Sequence, residues 1–223
     1  MDRLVGAVVP ATPPTLHPVA AIGRIGLTGG IGSGKSTAAQ TLVACGAHLV
    51  DTDVIARALT LPGGAAIPAL AAEFGAAALT PDGALDREQM RRLVFADPGA
   101  KARLEAILHP LIGGEASRQA AVAGGRPVVF DVPLLAESSH WRARVDRVLV
   151  IDCEEATQVA RVVQRPGWTE EAARRVIAQQ APRAARRAIA DAVICNEGLA
   201  IAQFQAELRA LWALWFPAPA PSS

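Results

Sequence analysis

Apolar residues in this chain occur in two kinds of run. RIGLT (24–28), AHLV (47–50), PVVFDV (127–132), RVLVIDC (147–153) and DAVIC (191–195) are short, continuous and bounded by turns, while longer stretches repeat their apolar positions every three or four residues. A continuous run is a strand buried on both faces; a 3.6-residue repeat is a helix with one buried side. Their alternation predicts an α/β fold built on a parallel sheet covered by helices.

Helix ends are also written locally. KSTAAQTLVACG (35–46) follows a glycine loop directly and is stopped by Gly46. Between the second strand and residue 127 there is no strand signal, only the helical patterns VIARALT, AAIPALAAEFG and DREQMRRLVFA. A longer pattern then opens with Asp97 as N-cap and Pro98 in its first turn, and carries Leu104, Ile107, Leu108, Leu111 and Ile112 at helix spacing. The organisation expected is an α/β core over 23–56 and 126–214 with a helical insertion over 57–125. Residues 1–22, whose apolar patch is broken by prolines and whose Asp2 cancels Arg3, read as a disordered extension, and 215–223 as a disordered tail.

Composition narrows the classes. With 223 residues and 51% hydrophobic side chains the chain can bury a substantial core. A net charge of +1 gives no bulk case for nucleic acid or an anionic membrane, and no apolar run approaches a membrane span. Cys45, Cys153 and Cys195 are widely spaced and form no C-x-x-C pair, so they read as small buried hydrophobes in a reducing compartment, the cytoplasm. Every basic side chain other than the histidines is arginine except Lys35 and Lys101, which makes a lysine inside a glycine loop conspicuous.

That loop, Gly29-Gly30-Ile31-Gly32-Ser33-Gly34-Lys35-Ser36, has the spacing G-x-x-x-x-G-K-[ST] directly after a strand and before a helix. Gly30, Ile31, Gly32, Ser33 and Gly34 let backbone N–H groups wrap a phosphate chain, and Lys35, Ser36 and Thr37 open the helix whose positive end adds to the grip. Lys35 neutralises the outer phosphates and Ser36 is placed for Mg²⁺. A switch GTPase is excluded by the missing N-K-x-D, since Asn196, the sole asparagine, precedes a glutamate. Asp51 and Asp53 end the second strand, at the sheet edge where open α/β folds bind ligands. A carboxylate there takes a proton, helps hold Mg²⁺, or caps the next helix, and spacing alone does not distinguish the two acids. Asp131 likewise closes a strand, either as a magnesium acid or as a turn residue.

LTGGIGSGKST (27–37), VDTDVIAR (50–57), LHPLI (108–112), VPLLAE (132–137) and IADAVICNEG (189–198), in this order, resemble the dephospho-coenzyme A kinase family over nearly the whole chain without its tails. The loop is shared by a whole superfamily; the other pieces are far more specific. The resemblance implies a three-layer P-loop kinase fold with a five-stranded, mostly parallel sheet, a helical substrate-binding insertion and a helical lid over 161–188. It implies ATP-dependent phosphorylation of the ribose 3′-hydroxyl of dephospho-coenzyme A, the last step of coenzyme A biosynthesis, with Mg²⁺. Asp53 becomes the catalytic base and Asp51 its helper; Arg57, His109, Pro133 and Leu134 border the acceptor. Arg165, beside the lid hinge, becomes the contact to phosphate or adenine, and Asn196 an adenine contact. The family commonly has an acid after that arginine, where this chain has Pro166-Gly167-Trp168. The expected partner is the small-molecule substrate alone, with no nucleic acid or membrane, for a monomer or weak homo-oligomer. The competing readings are a kinase for another acceptor, such as a nucleoside monophosphate, and a slow nucleotide-binding regulator.

Overall fold

Ile25, Leu27 and Thr28 have no exposed surface, because the strand they form, β1 (Arg24–Gly29), lies in the middle of a sheet. The computed structural model describes residues 23–217; the expected extension over 1–22, and 218–223 of the expected tail, lie outside the described residues. β2 (His48–Asp51), β3 (Val128–Asp131), β4 (Arg147–Asp152) and β5 (Ala192–Cys195) complete a five-stranded parallel sheet in the order β2-β3-β1-β4-β5. Leu27 is paired with Asp131, Gly29 with Ile151 and Asp152 with Cys195. Parallel pairing thus brings the ends of β1, β3, β4 and β5 to one edge, and the loops that leave there meet.

Among the described residues, 23–49 together with 123–217 form one unit, and 50–122 a second. In the first, α1 (Lys35–Ala44) and α10 (Ile201–Trp215) pack on each other, and Ala38, Leu42, Phe204, Leu208 and Leu211 join the buried side chains of the strands in one core. Each fully buried leucine or isoleucine there contributes about 2 kcal/mol by leaving water, an upper value against an extended chain. Trp215, expected to open the tail, instead ends α10 and is buried, one turn after Leu211, with Phe216 packed behind it. The core packing therefore runs at least two residues past the expected end at 214.

The second unit holds α2 (Thr52–Leu59), α3 (Ile67–Phe74), a 3₁₀ turn at Ala76–Ala78, α4 (Arg87–Ala96) and α5 (Pro98–Ala121). Its own core is Ala66, Leu70, Ala78, Leu85 and Met90, with Leu104, Ile107, Leu108 and Leu111 of α5 against it. Asp97 caps α5 as its sequence predicts, accepting from the Gly99 N–H at 2.8 Å.

The first unit continues with α6 (Ser139–Arg142), α7 (Glu155–Val162), α8 (Glu170–Gln179) and α9 (Arg183–Ala188). Val159, Val162, Ala173 and Ile177 join α7 to α8, with Ile31 of the glycine loop and Trp168 beside them. Thr169 caps α8 through the Ala172 N–H at 3.2 Å. Of the cysteines expected to be buried, Cys153 is, Cys45 is half-buried and Cys195, at the end of β5, is exposed. Burial pushes the Cys153 thiol up to about 11. Among the described residues no helix is long and apolar enough to cross a membrane.

Candidate active site

β1 ends at Gly29 and the chain turns at once, the Ser33 N–H donating to the Gly30 carbonyl at 3.0 Å. Gly34 has φ +102°, a left-handed conformation that costs an L side chain energy, and a Cβ there would stand 2.4 Å from the Asn196 amide nitrogen. A Cβ on Gly30 would stand 2.1 Å from the Gln158 amide nitrogen. Gly34 is required by its backbone, and a side chain at Gly30 would displace the Gln158 amide that presses on the loop from outside.

Those segments hold the loop by its carbonyls. Gln158 donates to the Ile31 carbonyl at 2.7 Å and Asn196 to that of Ser33 at 2.8 Å. Arg161 donates to the Gly32 carbonyl at 3.3 Å and, with its other nitrogen, to that of Asn196 at 2.9 Å. Gln180 accepts from the Ile31 N–H at 3.0 Å. With the carbonyls of residues 31–33 engaged and the first N–H groups of α1 lacking an acceptor within their own helix, the loop presents donors to an anion. The Ser33 hydroxyl is buried here without a partner among the described residues.

Lys35 is paired with Asp131 at the end of β3, and both side chains are largely buried. Asp131, a magnesium acid or a turn residue by sequence, is thus a neighbour of the loop lysine. Ser36 is exposed in the first turn of α1, and Thr37 lies half-buried behind it. From the segment expected to be the lid, Arg183 grips Asp152 at 2.8 and 2.9 Å and pairs with Glu154, and Arg187 reaches Asp152 at 3.5 Å. The Asp152 carboxylate raises the pKa of the Arg183 guanidinium further above its ordinary range. Glu137, which ends VPLLAE, accepts from the Ala181 N–H at 2.7 Å and fixes the approach to α9. Pro133 accepts from the Thr28 hydroxyl at 3.1 Å, while Leu134 next to it is 54% exposed beside the buried Leu135.

The loop, Lys35, Asp131 and Asn196 are therefore together, but the amide expected to read adenine is committed through its nitrogen to Ser33. Arg165 is not brought to the loop: its side chain is exposed and has no partner among the described residues. Arg174 and Arg175 pair with Glu170 and Glu171 one turn earlier on the exposed face of α8. Gln158, Gln180 and the inward roles of Arg161, Arg183 and Arg186 are not visible in the sequence, where glutamine and arginine on a helix read as solvated surface.

In the second unit, Asp51 caps α2, its carboxylate accepting from the N–H groups of Asp53 and Val54, both at 2.9 Å. Asp53 and, one turn on, Arg57 are exposed on α2; His109 is exposed on α5 next to Pro110, a proline inside the helix. α2, α4 and α5 enclose a cavity of about 290 Å³ whose wall includes Met90, Val94, Leu104 and Leu108, with Arg87 and Arg91 at its polar side. Arg87 donates to the Thr60 hydroxyl at 2.8 Å there.

A family model described as dephospho-CoA kinase matches residues 24–201. The chain is 59% identical over 175 residues to the dephospho-CoA kinase of Bordetella parapertussis, covering 78% of this chain and 82% of that one. A crystal structure from Thermus thermophilus superposes with a TM-score of 0.75 at 31% identity, over 88% of this chain and 98% of that one. The dephospho-CoA kinase of Campylobacter jejuni has the same fold, with a TM-score of 0.63 at 23% identity over 86% of this chain and 96% of the other.

Proposed function

The chain belongs to the dephospho-CoA kinase family, and we propose that it moves the terminal phosphoryl of ATP onto the ribose 3′-hydroxyl of dephospho-coenzyme A, completing coenzyme A. The observation that carries this reading is the glycine loop held by its carbonyls at the sheet edge with Lys35 in its helix. Such a loop binds a triphosphate, and transfer from it depends mainly on positioning and charge neutralisation.

In this assignment Gly30 to Gly34 enclose the phosphates, and Lys35 exchanges Asp131 for the phosphate oxygens. Asp53 accepts the proton of the 3′-hydroxyl. Its carboxylate is exposed and has no side-chain partner among the described residues, whereas Asp51 is occupied as the cap of α2. Arg57 meets the acceptor's phosphates, and His109, Pro133 and Leu134 border it. The cavity in the second unit suits the pantetheine arm, which is apolar with spaced amides, and Arg87 and Arg91 suit the diphosphate that adjoins it.

Mg²⁺ fits the oxygen donors of the loop region. Among the described residues no cluster of three His, Cys, Asp or Glu side chains could enclose a metal; one hydroxyl, Ser36, and one carboxylate, Asp131, are the sparse set expected for an ion that keeps water and phosphate as its other ligands. When bound, the ion supplies neutralisation of charge on the phosphates. We place the protein in the cytoplasm, acting without nucleic acid or membrane, as a monomer or weak homo-oligomer.

The test is incubation with ATP, Mg²⁺ and dephospho-coenzyme A, with the phosphorylated position read by ³¹P NMR. A 3′-phosphorylated product is expected. ADP release stimulated only by a nucleoside monophosphate would move the chain to another kinase activity; acceptor-independent hydrolysis would make it a regulator.

A further inference from the structure

Arg186, in α9, is 5% exposed. One of its terminal nitrogens donates to the Ala181 carbonyl, and the other lies 2.9 Å from where a Cβ on Gly30 would be, so the guanidinium rests against the start of the glycine loop. Its Nε is buried with no acceptor among the described residues. Nor has it a counter-charge among the described residues: Asp152 pairs with Arg183 and Arg187 instead. A buried guanidinium without a carboxylate and with an unused donor is costly, and a fold retains one where an anion arrives to satisfy it. Gln158, whose side-chain oxygen is also buried without a donor, stands at the same glycine.

We propose that Arg186 is a catalytic residue that binds the terminal phosphoryl group of the nucleotide. The proposal rests on the reading that the loop binds ATP. The loop's own N–H groups cradle the inner phosphates; a guanidinium at Gly30, the strand end of the loop, meets the outermost one. Two or three N–H donors can then follow the oxygens as charge spreads over them during transfer. Arg165, solvent-exposed on the turn after α7, has no such geometry.

Calorimetric titration of the full chain with ATP and with ADP, in Mg²⁺ and without acceptor, tests this. Arg186→Met is expected to raise the Kd for ATP about tenfold or more, as loss of a charge-assisted bond does, and to leave the Kd for ADP within about twofold. Arg186→Lys should recover part of the preference for ATP. Equal weakening of both nucleotides, or none, would reduce Arg186 to a tether of the 181–186 turn and overturn the proposal. If the variants do not fold, the ¹⁵N resonance of the Arg186 Nε in the unaltered protein must move with a non-hydrolysable ATP analogue and move much less with ADP; an unmoved signal overturns it as well. A wild-type chain that binds neither nucleotide would remove the underlying reading, an outcome distinct from the loss of discrimination alone.

Discussion

At the scale of single residues, Asp51 and Asp53 separate cleanly. Asp51 is occupied by two backbone donors, while Asp53 keeps its carboxylate exposed. Asparagine caps helices about as well as aspartate, so Asp51→Asn should fold and turn over close to the parent. Asp53→Asn should lower kcat by at least ~10² with ATP affinity kept, the size expected of a lost general base. Steady-state kinetics on the pair decide the assignment, and equal rates for both variants would reassign the base. Lys35→Ala should leave no measurable transfer in the same assay; normal turnover would remove the loop from the mechanism. The glycines and Lys35 were legible in the sequence because a loop that wraps phosphate admits few residue types. Asn196 was legible as a residue of the site, but its nitrogen's hold on the Ser33 carbonyl was not, because that contact depends on packing 163 residues away along the chain.

Elements were read more securely than their inward faces. A parallel sheet buries both faces, so its strands appear as unbroken apolar runs, and Asp97 announced its helix because capping is a local interaction. The hold on the glycine loop by α7 is not local. Gln158 and Arg161 meet carbonyls more than a hundred residues earlier in the chain, and nothing in EATQVARV separates a glutamine that faces a loop from one that faces water. Arg161→Ala should therefore raise the KM for ATP about tenfold, the usual worth of a charged hydrogen bond, with the melting temperature little changed. An unaltered KM would show that the loop keeps its shape without α7. In the helical unit, Leu108→Trp should fill the cavity walled by α2, α4 and α5. The expected result is a several-fold rise in the KM for dephospho-coenzyme A with that for ATP unchanged; equal rises would place the acceptor elsewhere.

For the whole molecule, the two units have separate hydrophobic cores. Leu70, with no exposed surface, belongs to the helical one. Leu70→Ala should cost about 2–5 kcal/mol in that unit, read by urea unfolding, and weaken acceptor binding while calorimetry finds the ATP affinity near the parent value. Equal loss of both would mean that the cores unfold as one. The order of the strands sets a further condition on this protein, one of timing. β1 and the glycine loop leave the ribosome early, yet β1 is flanked by β3 and β4, and the loop is held by Gln158, Arg161, Gln180 and Asn196. At synthesis rates of roughly 5–20 residues per second, the nascent loop waits many seconds for the side chains that shape it. A ribosome-stalled chain ending before α7 should accordingly retain no ATP, and nucleotide capture becomes a late event in the birth of the molecule, reached only when β5 has joined the sheet.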